Sequence, residues 1–553
     1  MKQEKLKPML FSVIKKYSAK QFTTDVISGI IVAIIALPLS IALALASGVG
    51  PEEGLYTAIV AGFIISFLGG SRVQIAGPTA AFATIVAGIV AKDGMDGLMM
   101  ATIIAGILLI LMGLFKLGSL IKFIPYTITT GFTAGIAVTI LIGQIKDFMG
   151  LTYPKGTVTI ETVEKVQAIV ANIATINYQA VIVGVVCLAV LIVWPKFFEK
   201  IPASLIAVLV GIAMVKGLGL KVNTIGDLYQ INGGLPKFHA PNFSWSLVRG
   251  SFSNGFTIAI LAAIESLLSA VVADGMIGSH HRSNMELIAQ GAGNIGSVLF
   301  GGIPATGAIA RTAANIKNGG RTPIAGIVHS IVLLLVLVVL MPYAALIPMP
   351  TIAAILFQVA YNMCQWRPFV HLCKTAPKSD IIVLVTTFVL TVVFDLVVAI
   401  EVGMIAACLL FMKRMSEESS VRGWTYVDPD DQTEDPDSIE LRVVPKHVRV
   451  YEISGPMFFG DADALANITT KEFTKALVIR MRSVPALDAT AMRSLEMLYE
   501  DCKKRGVRLI FSHVNEQPRR TMEKDGFIEK VGAENFAPHI DDALKLASEV
   551  AAE

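Results

Sequence analysis

The sequence predicts a polytopic α-helical membrane domain followed by a small α/β domain, and three observations support this fold class. The 553 residues are 54% hydrophobic and 16% charged, with a mean hydropathy of +0.66, far above that of soluble proteins. Residues 1–413 hold 27 basic and 17 acidic residues, whereas residues 414–553 hold 19 and 26. Apolar runs of about twenty residues, enough to cross a bilayer, recur only in the first region. These features exclude a single soluble domain, a disordered chain and a nucleic-acid-binding protein whose basic charge lies on one exposed face.

The apolar runs predict fourteen membrane spans. The spans start near Thr24, Gly54, Ala76, Gly97, Ile121, Tyr178, Ala203, Ser253, Met285, Pro304, Pro323, Pro348, Asp380 and Val397. With the amino terminus inside the cell, 18 of the 27 basic residues fall on cytoplasmic segments, as the positive-inside rule requires. Because the number of spans is even, the charged residues 414–553 lie on the same side of the membrane as the amino terminus. We therefore expect a multi-pass protein of the cytoplasmic membrane with both ends in the cytoplasm.

Composition divides the chain into four regions. Residues 1–23 form a cytoplasmic leader with six Lys against one Glu. The membrane domain covers residues 24–413, and residues 414–438 are acidic and polar, as in a solvated linker. The soluble domain covers residues 439–553.

The soluble domain has the pattern of an alternating α/β fold. Strand-like runs occupy residues 447–453, 477–481 and 507–513, and helix-like stretches follow Ala489 and Glu516. A further helix-like stretch follows Asp541. This alternation predicts a small sheet covered by helices.

Two spans at matching positions of the two halves are unusually short. The third, Ala76–Val90, has at most about fifteen apolar residues, or roughly 22 Å of helix, against a hydrocarbon core near 30 Å. The tenth lies in Gly301–Pro323, where Gly and Ala crowd around a Pro and an Arg. Short, interrupted spans at corresponding positions are typical of a transporter site between repeats. Since each half has seven spans, the second half must be inverted.

Glu265 is the most informative single residue. It lies in SNGFTIAILAAIESLLSAVVAD, with no charged residue within eleven positions before it or eight after it. A carboxylate at that depth costs at least about 2.5 kcal/mol to insert. Ser269 lies one turn further on the same helix face. Both residues are therefore predicted to couple transport to H+ or Na+; the alternative is a structural partner for a buried Arg.

Arg311 is a candidate for that partner and also for an anion ligand. It lies at the beginning of the tenth span, where free N–H groups and the helix dipole favour negative charge. The third span offers a second helix amino end, with Pro at its start. Two such ends and one guanidinium predict an anion site. Its predicted substrate-binding residues are Gly77, Pro78, Thr79, Ala80, Ala308, Ile309, Ala310 and Arg311.

The sequence shows no sign of a cofactor or of ATP-driven transport. The five cysteines are scattered without a CxxC pair, so no metal site is predicted. The chain lacks a GxxxxGK[ST] phosphate loop. We therefore expect no catalytic residue and no cofactor apart from bound H+ or Na+, with energy supplied by ion gradients or not at all.

Long motifs along the chain resemble the sulfate permease (SulP) family. They are ALPLSIALALASGVGPEEGLYTAIVAG and GGSRVQIAGPTAAF in the first half, then AIESLLSAVVAD, GNIGSVLFGGIPATGAIARTAANI and GGRTPIAGIVHS in the second. The segment SVPALDATAMRSLEML is similar to STAS domains. Within the family, the chain most resembles bacterial members that take up C4-dicarboxylates such as succinate and fumarate, although sulfate and bicarbonate members share most of these motifs.

The resemblance implies an architecture and a set of partners. It implies seven-plus-seven inverted repeats, with a core of spans 1–4 and 8–11 and a gate of spans 5–7 and 12–14. It also implies an elevator movement of core past gate and a homodimer in membrane lipid. Glu265 matches the family's coupling carboxylate in the eighth span, and Arg311 its basic residue at the tenth.

The STAS resemblance leaves regulation open. A regulatory loop of this kind reads D-S/T-S/T-G and carries a phosphorylatable hydroxyl, whereas this sequence reads Asp488-Ala489-Thr490-Ala491, with Ala in place of Gly. Thr490 is thus a candidate regulatory residue. The competing reading is a structural dimerisation module.

The function expected from these observations is secondary active transport of a small anion, by symport with H+ or Na+, and not catalysis. Sulfate, a C4-dicarboxylate and bicarbonate are the candidate substrates. An uncoupled exchanger or channel could use the same pocket, and a sensor could act through the STAS domain. A nucleobase permease of the same architecture would need polar groups for a neutral ring rather than an Arg between helix ends.

Overall fold

The computed structural model describes most of the chain. The described residues are 6–119, 125–154, 157, 159, 161–198, 201–229, 231, 234–394, 396–418, 420–424, 439, 442–458, 468 and 473–552. They form two compact units, Met1–Met404 and Ile405–Glu553.

The first half of the membrane domain is helical apart from one short strand. Its elements are α1 (Leu10–Val13), α2 (Ala19–Ala46), α3 (Pro51–Leu68), β1 (Ala76–Gly77), α4 (Ala80–Leu114), α5 (Tyr126–Met149), α6 (Thr162–Ala171), α7 (Tyr178–Phe197) and α8 (Ala203–Leu218).

The second half repeats this plan. Its elements are α9 (Ile225–Leu228), α10 (Trp245–Ile277), α11 (Ser283–Leu299), β2 (Thr306–Gly307), α12 (Ile309–Lys317), α13 (Ile324–Ala344), α14 (Met349–Cys364), α15 (Trp366–Thr375), α16 (Lys378–Val393) and α17 (Leu396–Glu418).

Helix α4 contains two spans in one continuous run. Gly94 has φ 68° and ψ −170° within it, a conformation that only glycine adopts without strain. The kink divides α4 into a third span, residues 80–93, and a fourth, residues 95–114. With this division the predicted fourteen spans are present as helices α2–α5, α7, α8, α10–α14, α16 and α17.

Seven helices within the described residues are each long and apolar enough to cross a membrane alone. Helix α12, with nine residues, reaches only about 13 Å. A short span of this kind must have its ends buried in protein, because lipid cannot satisfy free backbone groups. The symmetry of short spans seen in the sequence is thus retained in the fold.

The start positions of some spans differ from the prediction. The third helix begins at Ala80 rather than Ala76, and the tenth at Ile309 rather than Pro304, because the intervening residues form β1 and β2. The eighth begins at Trp245, eight residues before Ser253, since polar residues continue the helix beyond the apolar run. The predicted start at Ile121 lies outside the described residues.

The spans pack into two groups. In one, α10 and α11 pack on α4, α11 and α13 pack on α3, and α13 packs on α2. In the other, α14 and α16 pack on α5, and α7 packs on α8 and α14. Interlocked pairing of first-half and second-half helices is expected when two inverted repeats are intertwined.

The second unit is an α/β domain built on a five-stranded sheet. Its strands are β3 (Ser420–Trp424), β4 (Val448–Ser454), β5 (Ala476–Ser483), β6 (Arg508–Ser512) and β7 (Phe536–Ala537), and its helices are α18 (Ala489–Lys504), α19 (Glu516–Asp525), α20 (Phe527–Val531) and α21 (Ile540–Ala552). The strand order is β3-β4-β5-β6-β7, with only β3 antiparallel to its neighbour. The strands and helices predicted from the alternating pattern are all present.

The predicted linker, residues 414–438, is wrong in its first part. Helix α17 continues to Glu418, and β3 pairs with β4 from Ser420 to Trp424. Backbone hydrogen bonds to an existing strand satisfy this edge segment whatever its side-chain polarity, so composition alone could not reveal it. The remainder, residues 425–438, lies outside the described residues.

Candidate anion-binding site

The two short spans are joined at their amino ends by a small antiparallel ribbon. Ala76 pairs with Gly307 and Gly77 with Thr306, and the Ala308 N–H donates to the Ile75 carbonyl oxygen at 2.9 Å. Paired in this way, β1 and β2 satisfy each other's backbone groups in the protein interior. Because the two strands are antiparallel, α4 and α12 start at opposite ends of this two-residue ribbon.

Both helix amino ends lack a side-chain cap. Thr79 is the N-cap of α4 and Ala308 the N-cap of α12, and neither provides a capping hydrogen bond from its side chain. Ala80, the first residue of α4, is buried, whereas Ile309 and Ala310 at the start of α12 are exposed. Uncapped first-turn N–H groups and the helix dipoles create a positive potential here. An anion is the expected ligand at such a position.

Arg311 lies behind the ribbon. Its side chain is only 1% exposed, and its Nη2 donates to the Pro78 carbonyl oxygen at 3.1 Å. Gly77 makes room for the guanidinium, because a Cβ there would collide with Arg311 Nη1. Arg311 therefore sits between the two helix ends and adds a full positive charge to their partial charges.

Glu265 on α10 reaches the amino end of α4. Thr79 Oγ1 donates to Glu265 Oε2 at 2.9 Å, and both side chains are partly exposed. Thr306 Oγ1 donates to the Ala262 carbonyl oxygen at 3.2 Å, which fixes the ribbon against the same helix. The carboxylate predicted for coupling is therefore one hydrogen bond away from the predicted anion site.

Ser269 lies one turn beyond Glu265 on α10. It is buried, and its Oγ has no hydrogen-bond partner in the described part of the chain. A buried hydroxyl without a protein partner is uncommon. Its oxygen is thus available to a ligand near Glu265.

The structure does not pair Glu265 with Arg311. Among the described residues, neither side chain has an ion-pair partner within 4.0 Å. The alternative raised by the sequence, a structural partnership between the two, is absent here. The two side chains instead bond to consecutive residues just before α4: Glu265 to Thr79 and Arg311 to Pro78.

Sequence reasoning missed a buried carboxylate that supports the ribbon. Glu286, on α11, is fully buried and accepts hydrogen bonds from the N–H groups of Gly70 and Ser71, at 2.8 and 3.1 Å. It also accepts from Gln74 Nε2 at 3.0 Å and Gln290 Nε2 at 2.9 Å. The signal in the sequence was an acidic residue just inside a predicted span start. It was indistinguishable from an ordinary interfacial charge.

A second missed cluster holds the far end of α12. Asn315 is fully buried, accepts from Ser28 Oγ at 2.7 Å and donates to the Val73 carbonyl oxygen at 2.8 Å. Nearby, Asp25 accepts from Tyr17, Gln21 and the Arg321 N–H. The short helix is thus anchored at both ends by buried hydrogen bonds.

A cavity in the described part of the chain lies away from this site. About 720 Å³ in volume, it is bordered by the start of α3, the kinked part of α4 and the 234–242 segment, with Glu52, Glu53 and Asp96 in its wall. Its acidic wall does not suit an anion. The candidate site therefore rests on the ribbon, the helix ends and the flanking charges.

Thr490 lies in the second unit, near the start of α18. It is exposed, while Asp488 at the N-cap accepts from the Ala491 N–H at 2.8 Å. A phosphate on Thr490 would lie near a helix amino end but also near this carboxylate. Regulation through Thr490 stays a prediction.

Fold and site together define a membrane transporter for anions that carries a small α/β domain. The chain belongs to the sulfate permease family: residues 22–387 match that family, and residues 438–543 match the STAS domain. The resemblance seen in the motifs is confirmed, as is the fold class of a polytopic helical membrane domain with a STAS domain. The seven-plus-seven arrangement is consistent with this family.

Similar proteins are named as transporters. The chain is 39% identical over 540 residues to the putative sulfate transporter YvdB of Bacillus subtilis, covering 96% of this chain and 98% of that protein. It is 31% identical over 557 residues to the bicarbonate transporter BicA of a Picosynechococcus species, covering 97% and 96%. The protein is accordingly a transporter and not an enzyme.

Solved structures share the fold. The murine SLC26A9 anion transporter in its inward-facing state superposes with a TM-score of 0.86 at 20% identity, covering 98% of this chain and 94% of that one. The transmembrane domain of a cyanobacterium bicarbonate transporter BicA gives 0.62 at 29% identity, covering 71% and 98%.

Proposed function

We propose that the protein is a secondary active transporter that imports a small anion by symport with H+ or Na+. The observation that carries the proposal is the hydrogen bond between Thr79, at the amino end of α4, and Glu265. It joins a site suited to an anion to a carboxylate able to bind a cation.

The anion would bind where the two helix ends meet. The starts of α4 and α12 lie at the two ends of the antiparallel ribbon, and Arg311, bonded to Pro78, supplies a full charge beside it. Ile309 and Ala310 are exposed beside these N–H groups, so an anion can approach them. Small side chains at this point leave room for the oxygen atoms of a tetrahedral or planar anion.

Coupling would follow from the electrostatics of Glu265. The ionised carboxylate places a negative charge beside the positive end of α4 and repels a bound anion. A proton or a sodium ion on Glu265 neutralises this charge and removes the repulsion, so cation and anion bind together. By linkage, each must then increase the affinity of the other by the same factor. Ser269 Oγ would supply a further oxygen for the cation.

The movement would carry the core past the gate. The core consists of α2–α4 and α10–α13 with the ribbon between them, and it contains every residue predicted to bind the anion or the cation. The gate consists of α5, α7, α8, α14, α16 and α17. Since the substrate site lies on one group of packed helices, it can move as a rigid unit. A homodimer in the cytoplasmic membrane, with the amino terminus and STAS domain in the cytoplasm, completes the proposal.

Sulfate and bicarbonate are the first candidate substrates, because similar proteins carry those names. A C4-dicarboxylate such as succinate is the third, on the likeness of the motifs. All three carry oxygen anions that helix amino ends and Arg can bind.

The test is an uptake panel with the purified full chain in proteoliposomes. Radiolabelled sulfate, bicarbonate and succinate are offered while pH and sodium gradients are imposed independently. We expect one anion to accumulate against its gradient when H+ or Na+ flows inward. Uptake that occurs only down the anion gradient, or only in exchange for internal anion, would replace symport with a channel or an exchanger.

A further inference from the structure

Behind the ribbon, a histidine lies in the same buried region as Arg311. His329 on α13 is 0% exposed. A Cβ placed on Gly62 of α3 would lie 3.9 Å from His329 Nδ1 and 3.4 Å from the Ala76 carbonyl oxygen. Arg311 Nη1 contacts Gly77, the next residue of β1. The ring and the guanidinium therefore border the same stretch of β1 from α13 and α12.

Several polar atoms in this region lack a protein partner. Within the described part of the chain, neither ring nitrogen of His329 has a hydrogen bond, and neither do Nε and Nη1 of Arg311. Buried polar groups in folded proteins are almost always hydrogen-bonded, to water where the protein offers nothing. Because both side chains border the same stretch of β1, their unpaired groups point to a shared oxygen ligand.

The chemistry of the two side chains identifies that ligand. A guanidinium has only donors, so its Nε and Nη1 need an acceptor. A neutral imidazole has one donor and one acceptor nitrogen. Water can accept from Arg311 and donate to His329 at the same time. Among the described residues, no protein hydroxyl or amide makes either bond. Both needs are met by water shared between the two side chains.

We propose that His329 is a positioning residue for Arg311, acting through ordered water in this buried region. On one side of the guanidinium, Nη2 donates to the Pro78 carbonyl oxygen. On the other side, Nε and Nη1 donate to the proposed water, which is in turn hydrogen-bonded to His329. Fixed at both edges, the guanidinium presents its charge to the anion in one orientation. This inference rests on the proposed function, since it concerns the same anion site.

The test compares variants of the full chain. H329L removes both ring nitrogens, H329Q keeps an acceptor and a donor, and S330A changes the neighbouring side chain as a control. The readouts are KM and Vmax for radiolabelled sulfate and bicarbonate uptake, and Kd for each anion on detergent-solubilised protein. We expect H329L to weaken binding about tenfold, the effect of leaving buried donors unpaired. Vmax should change by less than about twofold, with H329Q and S330A close to wild type.

A second background separates positioning from general damage. In R311Q, which has no guanidinium to position, H329L should add no further loss of affinity, because interacting residues are not additive. Equal losses in both backgrounds, or wild-type affinity in H329L, would overturn the proposal. Should H329L fail to give a monodisperse protein, H329M takes its place.

Failure of the proposed coupled transport can be distinguished from failure of the proposed role of His329. If the wild-type chain accumulates no anion against a gradient but binds sulfate or bicarbonate, coupled transport fails and His329 is judged on Kd alone. A wild-type chain that binds none of sulfate, bicarbonate and succinate overturns both proposals.

Discussion

Thr79 connects the two charged parts of the site at the scale of single residues. A threonine at a helix N-cap usually accepts a hydrogen bond from the first turn, but here its hydroxyl donates to Glu265 instead. In the described part of the chain, the N–H groups of Ala80 and Ala81 remain for a ligand, whereas the Phe82 N–H donates to the Thr79 carbonyl oxygen at 3.3 Å. The Thr79 side chain thus leaves the helix end uncapped for an anion, and its hydrogen bond links that helix end to the Glu265 carboxylate.

The role of Glu265 leads to the first prediction. Glu265→Gln should abolish gradient-driven accumulation while leaving anion binding detectable, because the amide keeps an acceptor for Thr79 but cannot take up H+ as a carboxylate does. Uptake under imposed gradients and Kd on the same preparation measure this. Glu401→Gln, a change at an exposed carboxylate of α17, is the matched control. Full accumulation in the Glu265 variant would remove it from coupling.

Gly77 gives the second prediction. Gly77→Ala places a Cβ against Arg311 Nη1, so the guanidinium must move away from the ribbon. Anion affinity should then fall about tenfold or more, because a full positive charge moves away from the anion. Gly88→Ala, on the helix that follows β1, is the control for an added methyl group, because a Cβ there meets nothing within 4 Å. Direct binding measures both. Equal affinities in the two variants would show that Arg311 tolerates the displacement.

Sequence revealed some of these residues and concealed others for physical reasons. Glu265 is conspicuous because a lone carboxylate in an apolar run is costly. His329 and Glu286 are not, since a His carries no obligatory charge and an acid near a span end is commonplace. That Arg311 points behind the ribbon depends on tertiary packing, which spacing along one helix does not reveal.

At the scale of elements, the ribbon fixes the positions of the amino ends of the two short helices, and Glu286 stabilises the segment that leads into the ribbon. Glu286 orients the 70–74 segment before β1, and Gln74 packs directly against Gly307 of β2. The sequence predicted the two short spans from their composition. It could not predict the ribbon, because two-residue strands that pair across the chain have no periodic pattern.

This arrangement gives the third prediction. Glu286→Gln should destabilise the membrane domain by roughly 1–3 kcal/mol, because the new amide NH2 faces donors and leaves buried N–H groups unpaired. Thermal unfolding of the detergent-solubilised chain measures it. Glu417→Gln, at an exposed carboxylate paired with Lys413, is the control. If the two variants unfold at the same temperature, the four hydrogen bonds to Glu286 add nothing to stability.

At the scale of the whole molecule, the division of charge between the two parts of the chain reflects two solvents. The front part is apolar because it faces lipid, and its gate helices display exposed Ile, Val and Leu side chains. The STAS domain instead buries an apolar layer on each side of its sheet, with Leu477, Ile479 and Phe511 in one and Val478 and Ile510 in the other. Periodicity therefore predicted both architectures.

The packing of the membrane helices into two groups leads to the last prediction, which concerns elevator movement. Disulfide pairs engineered between α2 and α8, one from each group, should arrest uptake on oxidation and release it on reduction. A disulfide within one group should have no effect. Thr351→Cys supplies that control, because Thr351 on α14 lies with its Oγ1 3.3 Å from Sγ of the native Cys187 on α7. Uptake before oxidation, after oxidation and after reduction distinguishes the cases. Full transport by a chain whose α2–α8 cross-link is shown by gel to be complete would mean that the core does not slide past the gate, and that access to the ribbon changes by local rearrangement instead.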